Sequence, residues 1–147
     1  KYQMPVIYST HPRSKKFIEM RGFVFDPHVQ NMKPFGFLDY NMLQMNAYCV
    51  LSDSGTLSEE SAMLGFPGVL IRTSTERPEV LDKGTVVIGG IRGEDVERAT
   101  ELAVSMYENK EETVMSPDYA DTNVSVKVVK LIQSYTDIVN RTVWLKR

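Results

Sequence analysis

Short apolar runs alternate with longer segments of helical period along the whole chain. Met4–Tyr8 reads as a buried strand, with Pro5 suited only to an early position in it. Ser9–Arg13 is then a turn and Ser14–Met20 a short helix. Gly22–Phe25 and Val29–Met32 read as short strands separated by Asp26-Pro27. Asp39–Met45 has helical apolar spacing, with Asp39 as the expected N-cap. Ala47–Leu51 is a continuous apolar run suited to burial on both faces. Ser52–Gly55 breaks it, and Thr56–Leu64 is predicted helical, closed by Gly65. Strands follow at Gly68–Ile71 and Thr85–Ile88, then long helices at Glu94–Tyr107 and Asn123–Asn140. Strands and helices alternating at this spacing predict an α/β fold, a Rossmann-like parallel sheet with flanking helices. There is no internal repeat or composition break, so residues 1–147 are expected to form a single domain.

Composition narrows the function classes. A chain of 147 residues with 42% hydrophobic and 24% charged positions is one globular domain's worth, not a disordered segment. Seventeen basic against nineteen acidic residues leave a net −2, which offers no footprint for nucleic acid or an anionic membrane. The lone Cys49 forms no internal disulfide, and with two histidines it builds no structural zinc site. No apolar run approaches the roughly 20 residues of a membrane span. A cytoplasmic location is expected. The chain opens on Lys1 and turns apolar almost at once, which reads as a cut end.

Candidate chemistry gathers where strands end, because open parallel sheets bind ligands outside their carboxyl edge. Ser52-Asp53-Ser54-Gly55-Thr56 puts a small, hydroxyl-rich turn there, directly before a helix. Ser54, Gly55 and Thr56 would offer free N–H groups to an anion such as phosphate. Plain capping is the alternative, since Thr56-Leu57-Ser58-Glu59 has capping-box spacing. Glu60, one turn beyond Thr56, could accept hydrogen bonds from sugar hydroxyls. Ser52 stands where a nucleophile elbow needs glycine, so a catalytic serine is a poor reading. Serines also replace both acids of a haloacid-dehalogenase-type phosphatase, which excludes that chemistry. In Thr75-Glu76-Arg77-Pro78-Glu79, Pro78 biases Arg77 to extended backbone and can open a short helix. Arg77 could then face a carboxylate or a diphosphate; an ion-pair cluster of Arg72, Glu76, Arg77 and Glu79 is the plainer reading. Lys33–Tyr40 carries three rings in six residues, able to stack a planar base or to plug a sheet edge. His11, at the end of the first strand, reads as structural when taken alone.

Taken in order, Ser52–Glu60, Leu64-Gly65-Phe66-Pro67, Arg72, Thr75–Glu79 and Gly84-Thr85 resemble one family. It is the non-hydrolysing UDP-N-acetylglucosamine 2-epimerases, with a GT-B glycosyltransferase-like fold. Ser9-Thr10-His11-Pro12-Arg13 is also similar to this family. The Ser-Gly-Thr spelling and Lys33-Pro34-Phe35-Gly36 look closer to a branch making capsular or O-antigen acetamido-sugars. The resemblance implies that Ser54, Gly55 and Thr56 hold the UDP diphosphate, with Thr56 replacing a commoner glycine. Glu60 would bind the ribose. Arg77, the catalytic candidate, would sit close to the diphosphate and sugar. Phe35 and Tyr40 would frame the uracil; His11 and Arg13 would lie near the cleft without an assigned chemical role. Members eliminate UDP to a 2-acetamidoglycal and add it back after reprotonation at C2, a scheme without metal or other cofactor. The C2 acid–base carboxylates would come from an N-terminal domain of the same chain, and the family's histidine loop would precede the first strand here.

The chain is therefore expected to be most of the C-terminal, UDP-binding half of such an enzyme, inactive alone. Its partners would be a UDP-sugar substrate and the missing half, with a homodimer of the full enzyme suggested by relatives. The alternative is the donor-binding domain of a GT-B glycosyltransferase, and a non-enzymatic reading is a free-standing nucleotide sensor.

Overall fold

A computed structural model describes residues 1–84, 86–111 and 114–146. The chain groups into two compact units, Lys1–Ala47 and Tyr48–Arg147. In the first, β1 (Val6–Ser9) leads through helix α1 (Pro12–Met20) to β2 (Val29–Met32). The strands pair in parallel, Val6 opposite Val29 through Ser9 opposite Met32. Buried Thr10 ties this edge: its hydroxyl bonds to Asn31 Oδ1 and to Tyr8 O at 3.3 Å. The Gly22–Phe25 segment is not a strand. Its rings form a small cluster instead, Phe23 against Phe25 at 5.1 Å and Phe25 against Tyr8 at 5.9 Å. Helix α1 begins two residues before the expected start, because Pro12 is preset for the first turn and His11 caps it. Helix α2 (Phe37–Met45) is capped by the extended Gly36. Asp39, expected as the cap, sits inside the first turn, where its charge still complements the dipole.

The second unit holds β3 (Val50–Ser52), α3 (Thr56–Leu64), β4 (Gly68–Leu70), α4 (Pro78–Asp82), β5 (Val86–Ile88), α5 (Gly93–Glu108) and α6 (Val124–Thr142). A single turn of 3-10 helix covers Pro117–Tyr119, which the sequence pattern misses. The sheet is parallel, as expected, with strand order β3-β4-β5. Thr85, where the fifth strand was expected to open, lies outside the described residues. Strand β3 is shorter than the apolar run that predicts it. Its ladder starts at Val50 N–H donating to Pro67 O (2.9 Å), and Pro67 has no N–H to extend it. Nor is it buried on both faces, since Leu51 is 45% exposed on this outer strand.

Alternation along the strands sorts two cores onto opposite faces of the sheet. Leu70 and Val86, with half-buried Val50 and Ile88, pack with Leu57, Phe66 and Val80. Val69, with Val87 and Cys49, packs with Ala99 and Ala103 of α5. Those alanines let α5 lie close. A Cβ on Gly89 would stand 2.7 Å from Val69 Cγ1 and 3.3 Å from Ala99 Cβ. Helix α6 contributes no buried residue; Val128, Leu131, Ile132 and Tyr135 are exposed along it. Among the described residues, no helix is long and apolar enough to cross a membrane.

Candidate functional site

Helix α3 starts at the carboxyl end of β3 and is set by its two ends. At the far end Gly65 takes the left-handed conformation (φ 70°), and Ser61 Oγ donates to Phe66 O at 2.7 Å. At the near end, buried Leu57 anchors the first turn in the core. Its N–H donates to Ser54 O at 3.3 Å, and Ser58 N–H to Gly55 O at 3.2 Å. The amino end of the helix is thus presented on the turn Ser54-Gly55-Thr56.

The hydroxyls of that turn are engaged locally. Ser54 N–H donates to Ser52 Oγ at 3.0 Å, and Ser54 Oγ lies 2.9 Å from Thr56 Oγ1. Thr56 N–H reaches Ser54 Oγ at 3.4 Å. The Ser54 and Thr56 amides, expected from the sequence to be free, are thus engaged locally, because serine hydroxyls bond the backbone two residues on. Gly55 has right-handed helical dihedrals (φ −60°, ψ −29°), so backbone freedom does not explain a glycine there. Close approach does. A Cβ on Gly55 would lie 2.5 Å from Arg77 Nη1 and 3.0 Å from Glu76 Oε1.

The Arg77 guanidinium thus lies directly over the turn, and carboxylates hold it there. Its Nε donates to Glu59 Oε1, and its Nη1 to Glu76 Oε1 at 2.8 Å. The Glu59 hydrogen bond, then Glu76, holds Arg77 charged even more firmly than usual. Glu59 is not a capping-box residue, because the cap is Gly55, which has no side chain to complete the box. Its Oε2 is buried with no hydrogen-bond partner among the described residues, so the carboxylate is committed to Arg77 through one oxygen. Glu76 is shared. Its Oε2 pairs with Arg72 Nη1 at 3.1 Å, and its charge is favoured by a backbone hydrogen bond and by Arg72.

Arg77 is aimed from the other side by the start of α4. It is the N-cap residue, its N–H donating to Thr75 Oγ1 at 3.1 Å, and Pro78 opens the helix as the sequence suggests. Glu79 does not join the ion-pair cluster expected for it. It accepts from Tyr119 Oη at 2.6 Å, and this hydrogen bond is the main reason its carboxyl lies below the usual glutamate range. Burial, followed by Glu79, pushes the Tyr119 hydroxyl up. Sequence reasoning missed Glu59 and Tyr119 because their partners stand 18 and 40 residues away.

The remaining candidates are placed as follows. Glu60 lies half-buried on α3, next after Glu59. Phe35 and Tyr40 are half-buried in the first unit, before and within α2. His11 and Arg13 are exposed at the start of α1, where His11 Nδ1 accepts from Arg13 N–H at 3.2 Å. Among the described residues, no three His, Cys, Asp or Glu side chains group as metal ligands. A helix amino end with a fixed guanidinium above it is suited to a phosphate or diphosphate.

Residues 1–133 match the family described as UDP-N-acetylglucosamine 2-epimerase. The chain is 34% identical over 113 residues to the UDP-N-acetylglucosamine 2-epimerase of Methanocaldococcus jannaschii, covering 74% of this chain and 31% of that one. The structure of UDP-N-acetylglucosamine 2-epimerase from Rickettsia bellii superposes with a TM-score of 0.77 at 38% identity, over 99% of this chain and 40% of that one. The M. jannaschii enzyme in complex with UDP-GlcNAc and UDP superposes with a TM-score of 0.65 at 32% identity, over 70% and 30% of the two chains. The chain spans about a third of the length of the curated relatives it matches.

Proposed function

Because the chain belongs to the UDP-N-acetylglucosamine 2-epimerase family, we propose that it is the UDP-binding, C-terminal half of a GT-B-type enzyme inverting C2 of a UDP-acetamido-sugar. The observation that carries this reading is the Arg77 guanidinium, held by Glu59 over Gly55 at the amino end of α3. The diphosphate is the leaving group when UDP is eliminated across C1–C2. Negative charge grows on its bridging oxygen as the C1–O bond breaks. A preset guanidinium and a helix amino end stabilise that charge without reorganising. The same groups hold UDP in place for re-addition to the glycal.

Ser54, Gly55 and Thr56 take the diphosphate in this proposal, Glu60 the ribose hydroxyls, and Arg77 the diphosphate next to the sugar. Phe35 and Tyr40 are given the uracil on the strength of the sequence alone. Removing and returning the C2 proton needs carboxylates facing the sugar, and these are assigned to a preceding half of the same protein. The proposed setting is surface-polysaccharide biosynthesis, from the Ser-Gly-Thr spelling and the Lys33-Pro34-Phe35-Gly36 turn.

The test is to incubate the intact protein with UDP-N-acetylglucosamine in deuterated water. Deuterium is expected at C2 with no acceptor present. UDP release that requires a sugar acceptor, with no exchange at C2, would refute the epimerase reading in favour of glycosyl transfer.

A further inference from the structure

Tyr119 stands outside the turn but bears on its central cation. Its ring packs against the core built by Leu57, Phe66, Leu70, Val80 and Val86, which fixes its position. From there its hydroxyl donates to Glu79 Oε1 at 2.6 Å, a short charge-assisted hydrogen bond. Glu79 follows Arg77 by two residues and lies near enough to feel its charge. Arg77 therefore has three carboxylates in its neighbourhood, Glu59, Glu76 and Glu79. The first two hold it over Gly55, while the third is bonded to Tyr119 instead. Helix α4 has only five residues, so its own hydrogen-bonded turns add little to what Thr75 and Pro78 do in placing Arg77.

Building on the proposed diphosphate site, we infer that Tyr119 is a positioning residue for it: by occupying the Glu79 carboxylate, its hydroxyl keeps Glu79 from drawing Arg77 away from the Ser54–Thr56 turn. With the hydroxyl gone, Glu79 loses the side-chain donor at its Oε1. The nearby guanidinium is the cation it would turn to, and Arg77 would then be shared between its place over Gly55 and a position on α4.

Tyr119→Phe keeps the ring in the core and removes only the hydroxyl. UDP affinity of the intact protein, measured by calorimetry, is expected to fall roughly three- to tenfold, in keeping with one lost hydrogen bond. The Tyr119→Phe/Glu79→Gln double variant removes the competing charge and is expected to regain most of that loss. A purely structural role for Tyr119 would not be rescued by a second change at its partner. Arg77→Gln separates this inference from the reading beneath it. If Arg77→Gln weakens UDP binding while Tyr119→Phe does not, or while the double variant stays as weak as Tyr119→Phe, Tyr119 has no positioning role. If Arg77→Gln leaves UDP affinity intact, the proposed diphosphate site itself is wrong.

Discussion

Gly55→Ala separates fold from ligand binding at a single atom. The backbone at Gly55 already has helical dihedrals, so alanine costs nothing in φ and ψ. Reducing the freedom of the unfolded chain would stabilise the fold by ~0.4–1 kcal/mol. The added Cβ, however, would meet Arg77 Nη1 at 2.5 Å and Arg77 Cζ at 3.1 Å. To reach ordinary van der Waals contact the guanidinium must retreat by roughly 1 Å. That movement is easy for a side-chain end, but it breaks the alignment of Arg77 with Glu59 and Glu76. The methyl also fills the space through which a phosphate oxygen would reach the turn. A hydrogen bond to a charged group contributes ~1.5–3 kcal/mol, so losing one or more predicts UDP affinity lower by roughly 10- to 100-fold. Thermal unfolding and UDP calorimetry on the same preparation read the two effects apart. The expected result is an unchanged or slightly raised melting temperature with weak UDP binding. A variant that melts as the parent does and binds UDP within twofold of it would refute the close-approach argument.

Two further predictions concern the face of the sheet opposite α3. Gly89→Ala would drive a methyl to 2.7 Å from Val69 Cγ1 and 3.3 Å from the Val96 backbone, beneath α5. Overpacking of this kind costs ~1–3 kcal/mol, and a melting temperature lowered by several degrees is expected; a melt identical to the parent's would contradict the packing described. Burial pushes the Cys49 thiol up to about 11 from its ordinary 9.0. At pH 8 its thiolate fraction is then about a hundredth of an unshifted thiol's, and iodoacetamide should label it correspondingly slowly in the native protein. The same shift contributes stability that is fully present below pH 9 and lost as pH rises through 11. Labelling at the rate of an open thiol would show that Cys49 is not packed beside Val69.

Local features were legible where local physics decides them. Thr56–Leu64 with its stop at Gly65 follows from apolar spacing and a left-handed glycine, and the structure has those bounds. Pro78 opening a helix after Arg77 follows from a fixed φ and a missing N–H. Ala47–Leu51 is readable as a strand but not its true extent, because the ladder is limited by Pro67, just before the neighbouring strand. Glu59 shows the limit most clearly. Its spacing from Thr56 fits a capping box, yet the cap moved to Gly55 and the carboxylate found Arg77. Helix-start signals place a residue to within a position or so, and one position changes which bond is open to it. Tyr119 gave no signal at all, since nothing in Ser116-Pro117-Asp118-Tyr119 indicates a partner on α4.

On the proposed reading, the sharing of Glu76 between Arg72 and Arg77 bears on how the nucleotide would be released. A guanidinium already stripped of much of its water and aimed by carboxylates does not capture a diphosphate so much as exchange one anion for another. Glu76 can surrender Arg77 without becoming an isolated charge, because Arg72 is already its partner. Were UDP bound there, the same carboxylate would stand beside Arg77 to take its place on release. On the proposed reading, affinity is a difference between two sets of similar bonds. That suits an enzyme that must retain UDP for one step and release it after the next.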